Sequence, residues 1–236
     1  MSSENITAFE EGKVLLFAKP LYWTSFDLVN KVRIMIRSSH GLKQIKVGHA
    51  GTLDPLATGL VILCTGKATK RVGEFRDLDK EYIAAIHLGE ATPSYDLETV
   101  VSGSSPIEHI TEEIVKSTLD GFIGEHSQMP PVHSAKMIKG KRAYEYARKG
   151  INAVLSPVLV FFREIELLEY DLPDIKVRIV CSKGTYIRSF ARDLGIALGT
   201  SAYLSSLERT AIGPFLLKDA YSVENFENIL KNVKQI

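Results

Sequence analysis

Apolar positions change period along this chain, and the changes mark its elements. Residues 13–18 (KVLLFA) form an apolar run that reads as a strand. Thr24-Ser25 then offers an N-cap to a helix carrying Phe26, Leu28, Val29, Val32, Met35 and Ile36 at helical spacing over about three turns, until Gly41 stops it. From Val47 to Thr69 small residues dominate, with glycines at 48, 51, 59 and 66 around the loop HAGTLDPLATG, and LVILC after it reads as a buried strand. KEYIAAIHL (80–88) predicts another strand, and Thr111 caps a helix with Ile114, Val115, Leu119 and Phe122 on one face. The consecutive prolines of 128–150 forbid helix at its start, and the segment reads as a projecting loop with a short helix around Tyr144–Ala147. Paired strands follow at 157–170 and 174–182 across an acidic, Pro-containing turn. Strand, tight turn and helix then run from Gly184 to Gly199, and a strand near 209–217 and a tail helix around 222–234 end the pattern. Because strands and helices do not alternate, the fold class expected is α+β: a mixed, mainly antiparallel sheet with packed helices.

Composition adds exclusions. The chain has 236 residues, 45% of them hydrophobic and 24% charged, and no apolar run approaches the roughly 20 residues of a membrane helix, so a soluble globular protein is expected. The start, MSSENITAFEEGK, has no secretory pattern, which makes cytoplasm the expected location. No long apolar stripe suggests an oligomer interface, so a monomer is expected. Cys64 and Cys181 lie 117 positions apart in apolar runs and read as buried, inert thiols. The formal net charge of +1 conceals an uneven distribution. Residues 31–80 hold ten Lys and Arg against four Asp and Glu, and the stretch 136–149 holds Lys136, Lys139, Lys141, Arg142, Arg148 and Lys149 against Glu145 alone. Two such basic regions suit a phosphate backbone if they share a face.

Generic motifs fail on inspection. Gly66-Lys67 resembles the end of a phosphate-binding loop, but Val61 stands where its first glycine belongs and Ala68 where a magnesium-binding hydroxyl belongs. No G-x-S-x-G, no H-E-x-x-H and no His/Cys/carboxylate cluster at metal spacing occurs, and the six histidines are scattered, so no metal is expected. What stands out is Asp54, set between Leu53 and Pro55 in a loop whose small residues let another molecule approach the backbone. Taken locally, it also reads as a turn-capping aspartate.

GHAGTLDPLATG resembles the catalytic loop of the bacterial tRNA pseudouridine-55 synthases, the TruB family. Four further segments agree in order: Lys19-Pro20 followed by Thr24-Ser25; DKEYIAAIHLGEATPSYD at 79–96; PPVHSAKMIKGKRAYEYARKG at 130–150; and CSKGTYIRSFARDLGIALG with LERTAIGPF between 181 and 215. The resemblance implies a pseudouridine synthase-like catalytic domain over 13–217, with an RNA-gripping insertion at about 126–150, after an N-terminal extension (1–12) and before a short tail helix (218–236). It implies cofactor-free conversion of uridine-55 in the T-loop of tRNA to pseudouridine. Asp54 would be the essential carboxylate, Tyr82 the ring that stacks on the flipped base and Arg188 the partner of Asp54. His49 would contact RNA beside the flipped nucleotide, Leu207 would line the pocket, and Lys19 would buttress the site.

The chemistry fits these roles. Moving the glycosidic bond from N1 to C5 needs no redox change, and a carboxylate serves it ionised, as nucleophile or as base; the sequence leaves those two open. An adjacent guanidinium favours the ionised form. Tyr186 and Arg188, two apart, would face one pocket wall if extended. The six cations of 136–149 would grip the T-arm, with recognition resting on loop shape and splayed bases. Departures from the family pattern are Ala18 for a common Asp, Leu21-Tyr22 for a frequent Gly nearby, His133 for Tyr, Met137 for Lys and Thr99 for Gly. Only 21 residues follow Phe215, where many members carry a further RNA-binding domain, so a short form is expected. A reading from another class, an RNA-binding protein or tRNA-folding chaperone without turnover, is disfavoured by the intact set of Asp54, Tyr82 and Arg188.

Overall fold

The computed structural model describes residues 4–132, 137–138, 141–142 and 155–233. Its first half runs α1 (Glu4–Glu11), β1 (Val14–Lys19), α2 (Ser25–His40), β2 (Val47–His49), β3 (Ala57–Thr65), a 3-10 segment (Gly66–Arg71), α3 (Val72–Arg76), β4 (Lys80–Leu88), β5 (Glu90–Ala91) and β6 (Gly103–Ser104). The rest runs α4 (Glu112–Asp120), β7 (Gly124–Gln128), β8 (Met137–Ile138), β9 (Lys141–Arg142), β10 (Val158–Asp171), β11 (Asp174–Cys181), α5 (Ile187–Ala197), β12 (Ala202–Ile212), β13 (Phe215–Leu216) and α6 (Val223–Val233). Two compact units emerge: residues 1–80 with 208–236, and residues 81–207. The architecture is α+β with antiparallel ladders, as the element pattern predicts.

In the first unit, β3 is the spine. Its nine residues are almost all buried, which is why ATGLVILCT reads as a continuous apolar run rather than an alternating one. β1 pairs with it from Val14↔Cys64 to Lys19↔Gly59, and β2 from Val47↔Thr65 to His49↔Leu63. Helix α2 begins in a full capping box: the Thr24 hydroxyl accepts from the Asp27 amide, and the Asp27 carboxylate accepts from the Thr24 amide. Such a cap contributes about 1 kcal/mol. The helix spans 16 residues, longer than the expected three turns, and ends at Gly41 in the left-handed conformation. Leu28, Val29, Val32, Met35 and Ile36 are buried, whereas Phe26 is not, so the capping turn shifts the apolar stripe off that residue. α6 packs on α2, and its Phe226 meets Phe17 of β1 edge to face at 5.0 Å.

In the second unit, β4 alternates strictly, burying Lys80, Tyr82, Ala84, Ile86 and Leu88. The β10–β11 hairpin turns at Asp171↔Asp174, where the acidic Pro-containing turn is expected, and β7 adds to the other edge of β10. α5 buries Phe190, Ala191 and Leu194, and Phe190 joins Phe122 and Phe162 in an aromatic cluster. Each such side chain stabilises the fold by about 1.5–3 kcal/mol. The strand expected near 209–217 is two strands: β12 starts at Ala202, and a turn at Gly213 returns the chain as β13. β8 and β9 pair as Met137↔Arg142 and Ile138↔Lys141; the short helix expected around Tyr144–Ala147 lies outside the described residues.

Candidate active site

The loop between β2 and β3 carries Asp54, half-buried between buried Leu53 and exposed Pro55. Its backbone is held at every carbonyl from Gly51 to Pro55. Arg209 Nη2 donates to Gly51 O at 3.2 Å and Nη1 to Thr52 O at 3.4 Å. Ser25 Oγ lies 3.3 Å from Leu53 O and accepts from the Leu53 amide at 2.9 Å. Asp54 O accepts from the Ala57 amide at 3.1 Å, and Pro55 O accepts from the Tyr22 amide at 2.8 Å and from Lys19 Nζ at 3.5 Å. A short loop with this many fixed points holds its side chains to one geometry, which preorganised catalysis requires.

Two of these anchors are buried cations. Lys19 is 1% exposed and also donates to Pro20 O at 2.9 Å and Trp23 O at 2.6 Å. Burial pushes its ammonium down to about 8; Asp54 and Asp27 oppose the fall, and the Arg209 charge adds to it. Arg209, likewise 1% exposed, places Nε 2.7 Å from Leu60 O. It reaches the loop because Gly59 of β3, at φ +107°, lets the two backbones touch: a Cβ there would overlap the Arg209 carbonyl and amide. Lys19, the residue expected to buttress the site, is the one that makes the bonds to the carbonyls of Pro20, Trp23 and Pro55. Arg209 and Ser25 were not singled out from sequence. Both stand in the family-like segments, but only a fold that buries them against loop carbonyls distinguishes them from an ordinary strand arginine and a capping serine. His49 ends β2, half-buried.

The second unit holds the other expected residues. Tyr82 points inward from β4 at 8% exposure, and Leu207 of β12 is 9% exposed. Tyr186 and Arg188 are not on a strand: Tyr186 is the N-cap of α5 and Arg188 lies in its first turn, so the shared-face geometry of alternating residues does not apply. The turn at Gly184, at φ +82°, separates β11 from α5 in the expected order of strand, tight turn and helix. Gln128 fixes the cap, accepting from the Tyr186 amide at 2.8 Å and donating to its carbonyl at 3.1 Å. Arg188, 4% exposed, forms a buried ion pair with Asp96 at 3.5 Å and donates to Ser94 O at 3.4 Å. Asp96 is a further participant that sequence reading passed over. Of the basic insertion, Lys141 and Arg142 lie in β9, and Lys136, Lys139, Arg148 and Lys149 lie outside the described residues. Among the described residues no group of three or more His, Cys, Asp or Glu is placed to hold a metal ion, and Cys64 and Cys181 are buried free thiols.

Solved structures share the fold, and the family model that matches the sequence puts it in the pseudouridine synthase class. The crystal structure of a Cbf5-Nop10-Gar1 complex aligns with TM-score 0.70 and 28% identity over 94% of this chain; the chain spans 56% of that one. A structure of an H/ACA RNP bound to a substrate RNA containing 2'-deoxyuridine aligns equally well, at 25% identity. Residues 39–187 match the model for the TruB family pseudouridylate synthase (N terminal domain). The tRNA pseudouridine synthase B of Phocaeicola vulgatus is 57% identical over 92% of this chain and 93% of its own length, and that of Parabacteroides distasonis is 55% identical over 97% of each. The chain belongs to the TruB family.

Proposed function

We propose that this chain converts uridine-55 in the T-loop of tRNA to pseudouridine. The base leaves its stack, the C1′–N1 bond breaks, a C1′–C5 bond forms, the hydrogen at C5 is lost and N1 gains one. No redox equivalent or energy input is needed. Asp54 is the carboxylate at the sugar, as nucleophile or base, and must be ionised for either role. Tyr82 stacks on the flipped base, which offsets part of the few kcal/mol spent in unstacking it. Arg188 serves as counter-charge to Asp54, and Tyr186 and Leu207 line the pocket. His49 contacts the RNA beside the vacated position, and Lys136, Lys139, Lys141, Arg142, Arg148 and Lys149 grip the T-arm. The enzyme works as a cytoplasmic monomer without cofactor.

The observation that carries this reading is the aspartate loop: a half-buried carboxylate on a backbone pinned at five successive carbonyls, in a member of this family. The test is tritium release from C5 of uridine in a tRNA transcript. Wild type is expected to release one equivalent per tRNA. Asp54→Asn, whose amide is neither nucleophile nor base, and a transcript with cytidine at position 55 are expected to release none. Tight tRNA binding by wild type without release would instead favour an RNA-binding protein.

A further inference from the structure

Two non-glycine residues of the described chain hold positive φ, Tyr22 at 67° and Tyr95 at 61°. For an L-residue with a large side chain this conformation carries a steric cost that glycine escapes, so each needs compensation. Tyr95 has it inside the fold. Its carbonyl accepts from the Leu204 amide at 3.0 Å, and the Arg192 guanidinium lies 4.9 Å from its ring centroid. Tyr22 has only its amide bond to Pro55 O. The residue is 74% exposed, and its ring has no hydrogen bond, ring or charge partner among the described residues. A strained tyrosine is therefore held largely out to solvent, its amide bonded to the carbonyl of the residue after Asp54. Phe26, in the first turn of α2, is exposed on the same segment at 64%, also without a ring partner.

We infer that Tyr22, flanked by Phe26, is a stacking platform for an unpaired base of the RNA substrate next to the target nucleotide. The inference rests on the function proposed above. An aromatic face at the rim of the Asp54 loop suits a nucleobase because every base presents a π-face, and RNA is read mostly through unstacked bases on aromatic rings. The anchoring argues the same way: the Tyr22 amide is tied to the loop itself, so the backbone that carries the ring keeps a set position beside the Asp54 loop.

The test separates folding from binding by their opposite signs. Tyr22→Gly relieves the strain and is expected to raise the Tm by about 1–4 °C. It is also expected to weaken the Kd for an unmodified tRNA transcript by roughly 5- to 50-fold, the loss of one base stack. Tyr22→Ala should bind as weakly as Tyr22→Gly with the Tm of wild type, and Tyr22→Phe should stay within about twofold of wild type because the ring persists. Affinity for a blunt RNA duplex without a loop should not change in any variant. The single-turnover rate at saturating enzyme should fall less than the affinity. Unchanged transcript binding in Tyr22→Gly overturns the inference, as does a fall in Tm for Tyr22→Ala, which would make the ring a packing group. Equal losses on the duplex, or a Tyr22→Phe variant as weak as Tyr22→Gly, also overturn it. Tritium release by wild type keeps the two proposals apart: release with unchanged Tyr22→Gly binding removes only this one.

Discussion

Arg209 shows how much of the Asp54 loop depends on one buried side chain far away in the sequence. Lysine at this position keeps the charge but cannot span Leu60 O, Thr52 O and Gly51 O together. Loop carbonyls left without a donor move, and a displacement near 1 Å costs about 100-fold in rate. Arg209→Lys is therefore expected to lower the single-turnover rate by about 10- to 100-fold with tRNA affinity little changed, measured by tritium release with enzyme in excess. Lys19 offers a pH test. Its folded pKa of about 8 lies below the ordinary 10.5, so the unfolded chain binds more protons between these values. The cost of burying the charged ammonium is fully present below pH 8 and is relieved as pH rises toward 10.5. The stability of wild type relative to Lys19→Met should thus grow from pH 7.5 to pH 10, read from urea midpoints; a flat difference would contradict it. Asp54 stands out in the sequence as an acid among small residues, which by itself reads as well as a turn cap; the resemblance of the whole loop to the TruB catalytic loop is what singles it out. Arg209, Ser25 and Asp96 could not be picked from sequence, because their partners are backbone groups or side chains distant in the chain.

Elements followed the hydrophobic pattern wherever period and punctuation agreed. The Thr24 cap, the Gly41 stop, the apolar run of β3 and the alternation of β4 all appear where expected. At 181–190 the expected strand, tight turn and helix follow one another through Gly184, and the helix rules out the extended alternative that the spacing of Tyr186 and Arg188 left open. The pattern misled toward the end of the chain. Near 202–217 a long strand and its return through Gly213 merged into one. Gly59 carries a different kind of information, since its absent side chain is what lets β3 meet the Arg209 backbone. Gly59→Ala is expected to destabilise the protein by at least about 3 kcal/mol through combined φ strain and overlap, seen as a lowered urea midpoint. Gly41→Ala, with open space around its Cβ, should cost far less.

At the scale of the whole chain, the first unit is discontinuous: residues 1–80 are completed by residues 208–236. Arg209 lies 158 positions from Gly51, whose carbonyl it holds, and Phe226 closes on Phe17 across an even longer interval. Separations of this length delay folding, because a long loop must close before the contact can reward it. During synthesis the N-terminal segment leaves the ribosome first, at about 5–20 residues per second. The loop bearing Asp54 therefore waits on the order of ten seconds for the arginine that fixes it. A nascent chain stopped short of Glu208 displays the whole aspartate motif without its pin. The two carbonyl bonds that Arg209 makes to the Asp54 loop are therefore among the last contacts of the first unit that the growing chain can form.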